Sequence, residues 1–354
     1  MSRFLDSRLS SLDAYVPGEQ PKRGQFIKLN TNEFPYPPAP SVAECVADAV
    51  EYVNLYSDLT CSDLKNEFKR VFGYSGDNVI FTNGSDEALY LCFLAFCGKE
   101  TGAAFPDITY GFYSVYAELC GLDYLSVPLD EDFNVVPDEY YGLGRTIFIA
   151  NPNAPTGLKL SESQVESILK NNRNNVVVID EAYTAFSGES CARLTEKYDN
   201  LIVVGTFSKS RGMAGARLGY IITNCELARD IETVKYSINP YNVNTLTQAA
   251  GAKVLASNDY YEKCIKEICD TRDRFSEKLT MLGFDVIPSK ANFVFAKCDF
   301  IDGRDLADRL RDEGVLIRRF DKERIKDYVR ISIGTPEQMD RVAQIIEKIL
   351  GGKR

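Results

Sequence analysis

Val176-Val177-Val178-Ile179-Asp180-Glu181-Ala182-Tyr183 and, after a polar interval, Leu201-Ile202-Val203-Val204-Gly205-Thr206-Phe207-Ser208-Lys209 are the stretches that decide the fold. Each opens on an apolar, mostly β-branched run and then turns abruptly polar. A run that is apolar at every position is a strand covered on both faces, because a strand with one wet face would alternate. Working outward, Val79-Ile80-Phe81, Thr146 to Ala150 and Gly219 to Thr223 repeat the pattern, with helical spacing between them. Helix–strand alternation of this kind over residues 41–240 predicts an α/β domain, a mainly parallel sheet of buried strands flanked by helices.

The pattern changes near Asn239-Pro240. A long helical stretch from Thr245 to about Met281 leads into Asn292 to Ala296, an amphipathic helix from Gly303 to Glu313, then Val315 to Arg318 and Tyr328 to Ile333. Thr335-Pro336-Glu337-Gln338 opens a terminal helix, with Thr as N-cap, Pro in the first turn and Gln at the capping-box position. Residues 241–354 are therefore expected to form a smaller α+β C-terminal domain. Residues 1–40, rich in proline and irregular, read as an N-terminal arm lying over a domain.

Composition narrows the function. At 354 residues, 45% hydrophobic, the chain can bury cores for two subdomains. A net charge of −10 with no basic run argues against nucleic-acid partners. No stretch is long and apolar enough to span a membrane, and the first residues do not resemble a signal peptide, so a cytoplasmic protein without a membrane partner is expected. The ten cysteines form no C-x-x-C pair, and Cys92/Cys97 and Cys264/Cys269 fall inside helical patterns, which suits reduced thiols and no metal. There is no histidine, so Ser–His and Cys–His nucleophile pairs are excluded and proton transfer falls to Lys, Tyr, Asp, Glu or Cys.

The polar residues just beyond each apolar run carry the chemistry. One run ends in Asn151-Pro152-Asn153-Ala154-Pro155-Thr156-Gly157, the next in Asp180-Glu181-Ala182-Tyr183, and the third in Thr206-Phe207-Ser208-Lys209, continuing to Arg217 through Ser210-Arg211-Gly212-Met213-Ala214-Gly215-Ala216. In an open α/β sheet, ligands bind beyond the carboxyl ends of the strands. An amide, a carboxylate, a phenol, a lysine and an arginine would converge there. A single polar residue after a strand is ordinarily a turn residue; the ordered conjunction is what points to a site.

These motifs, with Leu29-Asn30-Thr31-Asn32-Glu33-Phe34-Pro35 near one end and Val329-Arg330-Ile331-Ser332-Ile333-Gly334 near the other, resemble the fold-type I pyridoxal-phosphate (PLP) enzymes. Within them the chain is similar to the class I/II aminotransferases of the histidinol-phosphate group. The resemblance implies that Lys209 holds the cofactor covalently, that Asp180 faces its ring nitrogen, and that Tyr183 bonds its ring oxygen. It implies a phosphate cup from the backbone amides of Ser85 and Asp86 with Ser208 and Arg217, and a stacking ring from Tyr110. Asn153 is a displaced match: the family's Asn stands directly before the Pro-Thr-Gly, where this chain has Ala154. Either Asn153 reaches the cofactor oxygen through a shifted turn or that bond is missing. Arg330 matches the arginine that binds a substrate carboxylate, Arg318 or its neighbour Arg319 a second anion-binding arginine, and Tyr15 an aromatic completing the site. Tyr56 matches a residue that reaches the neighbouring subunit's cofactor phosphate, which implies a homodimer with composite sites.

The implied reaction moves the amino group of L-histidinol phosphate to 2-oxoglutarate. Three alternatives stay open on the sequence: a decarboxylase of the threonine-phosphate kind, an aromatic aminotransferase, and a non-catalytic PLP-binding regulator.

Overall fold

The computed structural model describes residues 2–6, 9, 12, 18–22, 24–74 and 76–351. Tyr15 lies outside the described residues. Among the described residues of the arm, the strand β1 (Ile27–Lys28) does not join the large sheet; it pairs in parallel with a short strand of the C-terminal part, Val315–Leu316.

Seven strands form the large sheet: β2 (Val79–Thr82), β3 (Ala103–Pro106), β4 (Tyr124–Val127), β5 (Thr146–Ala150), β6 (Val177–Asp180), β7 (Leu201–Thr206) and β8 (Gly219–Thr223), in the order β2-β8-β7-β6-β5-β3-β4. Successive residues of one strand feed opposite faces. Val177, Ile179, Leu201 and Val203 join the core under helices α1 (Pro40–Ala49), α2 (Ser62–Phe72) and α5 (Glu162–Lys170). Val178, Ile202 and Val204 join the core under α3 (Gly84–Phe96), α4 (Phe112–Leu119) and α7 (Cys225–Ile238), the short α6 (Phe207–Ser210) lying between β7 and β8. Burial on both faces is why these strands read as unbroken apolar runs.

Two features differ from the expectation. The Gly219–Thr223 run is not a parallel strand: β8 is antiparallel to both β2 and β7. The link from Thr206 to Gly219 holds only a four-residue helix and turns, without the long crossover helix that usually returns the chain to a parallel partner. The strands β3 and β4 carry no clear signal in the sequence, because β3 is a four-residue piece ending in Pro106 and β4 is a half-exposed edge.

The predicted long helix is two, α8 (Thr245–Ala256) and α9 (Asn258–Met281), separated at Ser257. Val254 and Leu255 of α8 pack with the first core, whereas Ile268 and Phe275 of α9 pack with a second one, so the change of core falls along α9, later than the boundary expected near Pro240. The second core is closed by a four-stranded antiparallel sheet, β12-β13-β10-β9, from β9 (Phe284–Ile287), β10 (Phe293–Cys298), β12 (Arg318–Arg319) and β13 (Tyr328–Ser332), with β11 (Val315–Leu316) set apart beside β1. Helices α10 (Gly303–Asp312) and α11 (Pro336–Gly351) cover it, and the capping box forms as expected: the Thr335 hydroxyl accepts from the Gln338 amide and the Gln338 side chain accepts from the Thr335 amide.

Candidate active site

At the carboxyl ends of β5, β6 and β7 lies a cleft of about 220 Å³ lined by Ser85, Asp86, Tyr110, Ala154, Asp180, Tyr183, Ser208, Lys209 and Arg217, with Thr31 and Glu33 of the arm. Sites for drug-sized ligands run to roughly 300–1,000 Å³, so this one suits a small ring and its substituents. Eight of the residues predicted from the sequence meet here.

Lys209 leaves the end of α6, a turn fixed by Thr206, whose hydroxyl accepts from the Ser208 amide at 3.1 Å. Its Nζ donates to the Thr31 carbonyl at 3.1 Å and stands 6.0 Å from the centre of the Tyr183 ring. Asp180, the last residue of β6, is buried; one oxygen accepts from the Tyr113 hydroxyl at 3.0 Å and the other from the Ala182 amide at 3.1 Å. Burial raises its carboxyl from the ordinary 3.8 to about 6, while the two donors pull the other way. A carboxylate held in place despite its own burial is a ready partner for a cation. The Tyr183 hydroxyl accepts from Asn32 of the arm at 3.0 Å.

Tyr113 is a site residue that the sequence does not disclose. It sits three residues after Tyr110, one helical turn on, and packs edge-on against that ring at 5.7 Å while donating to Asp180. It therefore orients two walls of the cleft at once. A phenol after an aromatic at helical spacing looks like ordinary core, and nothing local distinguishes it. Tyr113→Phe is expected to remove a charge-assisted bond and lower kcat/KM by roughly ten-fold or more. The acid limb of the pH–rate profile should move up, because losing a donor favours the protonated carboxyl; a rate loss with an unmoved limb would make Tyr113 only a packing residue.

The cup for an anion is built from α3 and Arg217. Asn83 makes no side-chain cap, so the first-turn amides of α3 have no capping acceptor. Gly84 has φ +77°, and a Cβ there would lie 2.5 Å from the Arg217 guanidinium, so only glycine lets the arginine close on the helix end. Arg217 pairs with Asp86 at 2.7 Å, and Asp86 also accepts from Tyr110 at 2.6 Å. Glu87 turns away from the cup, its carboxylate accepting from the Asn83 amide and from Asn242.

Four predicted residues do not line the cleft. Asn153 ties its own turn to the loop after β3, donating to the Ile108 carbonyl and Thr156 and accepting from Thr109, while Ala154 faces the cleft. Both ends of the Asn153 amide are thus engaged by protein groups, and Ala154, directly before Pro155, is the residue of this turn that lines the cleft. Tyr56 is 83% exposed and stacks on Tyr241 at 4.5 Å, away from this chain's own cleft. Arg330 and Arg318 stand directly opposite each other in the β12–β13 register, hence on one face. Arg319, facing Val329 in the register, points to the other side and pairs with Asp321, so of the two neighbours it is Arg318 that shares a face with Arg330. Arg330 donates to the Asn30 carbonyl at 3.0 Å, so consecutive arm carbonyls, Asn30 and Thr31, receive Arg330 and Lys209.

Comparison with known proteins agrees with this geometry. A profile of the family "Aminotransferase class I and II" matches residues 24–346, and the chain belongs to that family. A histidinol-phosphate aminotransferase of Brachyspira hyodysenteriae is 44% identical over 352 residues, covering 99% of each chain. One from Clostridium botulinum is 40% identical over 354 residues, covering 99% of this chain and all of the relative. The fold is also that of a Sinorhizobium meliloti histidinol-phosphate aminotransferase solved in complex with pyridoxal-5'-phosphate, with a TM-score of 0.87 at 24% identity over 98% of this chain and 100% of that one.

Proposed function

We propose that the chain transfers the amino group of L-histidinol phosphate to 2-oxoglutarate, giving imidazole-acetol phosphate and L-glutamate, with pyridoxal 5'-phosphate as cofactor. The observation that carries the reading is the meeting of the Lys209 amine, the buried Asp180 carboxylate and the Arg217-backed end of α3 in one small cleft. The donor set fits the cofactor: an amine for its aldehyde, an acid held in an apolar setting for its ring nitrogen, and uncapped amides with an arginine for its phosphate. Relatives with 40% identity or more carry the histidinol-phosphate name, which disfavours the decarboxylase, aromatic and regulatory alternatives.

Pyridoxal phosphate, when bound, supplies an electron sink that makes a substrate Cα–H acidic. Lys209 Nζ is the amine that would hold it covalently and, once freed by the incoming amine, would carry the Cα proton to the cofactor's carbon. Asp180 is the carboxylate that would keep a proton on the ring nitrogen by its own negative charge. Tyr183 and Tyr110 would orient the ring, the backbone amides of Ser85 and Asp86 with Ser208 and Arg217 would bind the phosphate, and Thr31 of the arm holds the lysine amine through its carbonyl. Arg330 and Arg318 bind the substrate's anionic end, a phosphate or a distal carboxylate alike.

Mixing the enzyme with 2-oxoglutarate and, in turn, histidinol phosphate, phenylalanine or threonine phosphate tests the assignment. Glutamate formed fastest from histidinol phosphate, without carbon dioxide, is the expected result; carbon dioxide from threonine phosphate would overturn it. Arg330→Ala is expected to weaken both substrates by about 2–5 kcal/mol, the cost of truncating a buried charge pair. A loss in one substrate alone would end the shared-anion reading.

The working unit in this reading is a homodimer. Val50, Tyr52, Val53, Leu55 and Tyr56 are all exposed along one segment, and Tyr241 beside them is too, an apolar patch of the kind that marks a protein interface. Tyr56, remote from its own cleft, is then available to the partner's.

A further inference from the structure

Three carboxylates line the cleft, and two are committed. Asp180 is bonded through both oxygens to Tyr113 and Ala182, and Asp86 through both to Tyr110 and Arg217. Glu33 is different. Its Oε2 accepts from Lys28 Nζ at 2.5 Å, Lys28 is itself tied to the Thr31 hydroxyl at 2.7 Å, and Oε1 accepts from none of the described residues. The Glu33 side chain lines the cleft and is 43% exposed. Arm residues 30–33 thus run from the arginine face, where Asn30 meets Arg330, past the Lys209 amine at Thr31, to this carboxylate.

The geometry points to Glu33 as the residue that selects a donor whose side chain carries a ring N–H, by accepting that N–H on Oε1. The inference deepens the reaction proposed above and rests on it. An imidazole, with an ordinary pKa near 6.5, presents one N–H when neutral and two when charged, and a carboxylate favours both forms. Glutamate and 2-oxoglutarate present a carboxylate beside the reacting carbon instead, which Glu33 repels. Lys28, holding Oε2, reduces that repulsion, so that both partners of the reaction are admitted.

The test compares holoenzyme of the wild type with Glu33→Met, Glu33→Gln and Lys28→Gln, measuring kcat and KM for L-histidinol phosphate and for L-glutamate as amino donors. Glu33→Met should lower kcat/KM for histidinol phosphate by roughly ten- to a hundred-fold, chiefly through KM, and leave glutamate unchanged or improved. Glu33→Gln, which keeps a neutral acceptor, should fall between, and Lys28→Gln, which breaks the same ion pair but spares the carboxylate, should keep the histidinol-phosphate preference. Equal losses with both donors, or a Lys28→Gln enzyme that behaves like Glu33→Met, would show that the arm's order matters and not the acceptor. A wild type that ignores histidinol phosphate overturns the reaction and this inference together; normal wild-type use with an unmoved Glu33→Met enzyme overturns the role of Glu33 alone.

Discussion

Lys209→Ala is expected to lower transamination by about 10⁴-fold or more, because in the proposed reaction one amine is both the covalent anchor and the proton carrier. In a chain without histidine no neighbouring imidazole can take over the second task. Tyr183 is engaged with Asn32, and Asp180 is buried with both oxygens occupied. The readout separates the two roles. Borohydride reduction followed by peptide mass analysis should find the cofactor's mass on the Lys209 peptide of the wild type and on no peptide of the variant. Added small amines should then restore part of the proton transfer without restoring the covalent anchor. A variant that still captures the cofactor at another lysine would remove Lys209 from its role.

Asp180→Asn is the second large effect, a fall in kcat/KM of about 10³-fold, the scale for losing a preorganised electrostatic partner of the reacting group. The same substitution should change the stability of the cofactor-free protein in the opposite sense. The folded-state carboxyl titrates at about 6, above its ordinary 3.8, because it is buried. Between these values the unfolded chain has already released the proton while the folded one retains it, so this group's contribution falls as pH rises from about 4 to 6 and is constant above. The gap corresponds to about 3 kcal/mol at most. Urea unfolding of the cofactor-free proteins at pH 4 and pH 7 should therefore show wild type losing stability relative to Asp180→Asn as pH rises. A pH-independent difference would exclude burial as the origin of the shift. A buried acid that costs the fold stability is, in the proposed reaction, retained for its ligand.

The cleft's main chemistry is legible in one dimension because it is written in short local pieces. A strand covered on both faces must be apolar throughout, and the residues just beyond its end must be the ones that meet a ligand, so Asp180, Tyr183, Ser208 and Lys209 can be placed from the runs before them. Gly84 and Arg217 lie 133 residues apart, yet each belongs to a readable local motif, a helix start and a Gly-rich tail. The features hidden from the sequence depend on contacts between distant segments. Tyr113 becomes a partner of Asp180 only when α4 is packed over β6, and the direction of β8 appears only in its antiparallel pairing with β2 and β7, since its own residues read like those of the parallel strands. The choice between Arg318 and Arg319 is a matter of register, since adjacent strand residues face opposite ways and only pairing with β13 says which faces Arg330. Asn153 and Ala154 are likewise told apart only in the folded turn, where the Asn153 amide is bonded to Ile108, Thr109 and Thr156 and Ala154 lines the cleft. The arm shows the division most plainly: its sequence marks it as irregular, but only the packed structure brings its carbonyls to Lys209 and Arg330, because an extended segment's hydrogen bonds are completed by whatever surface it crosses.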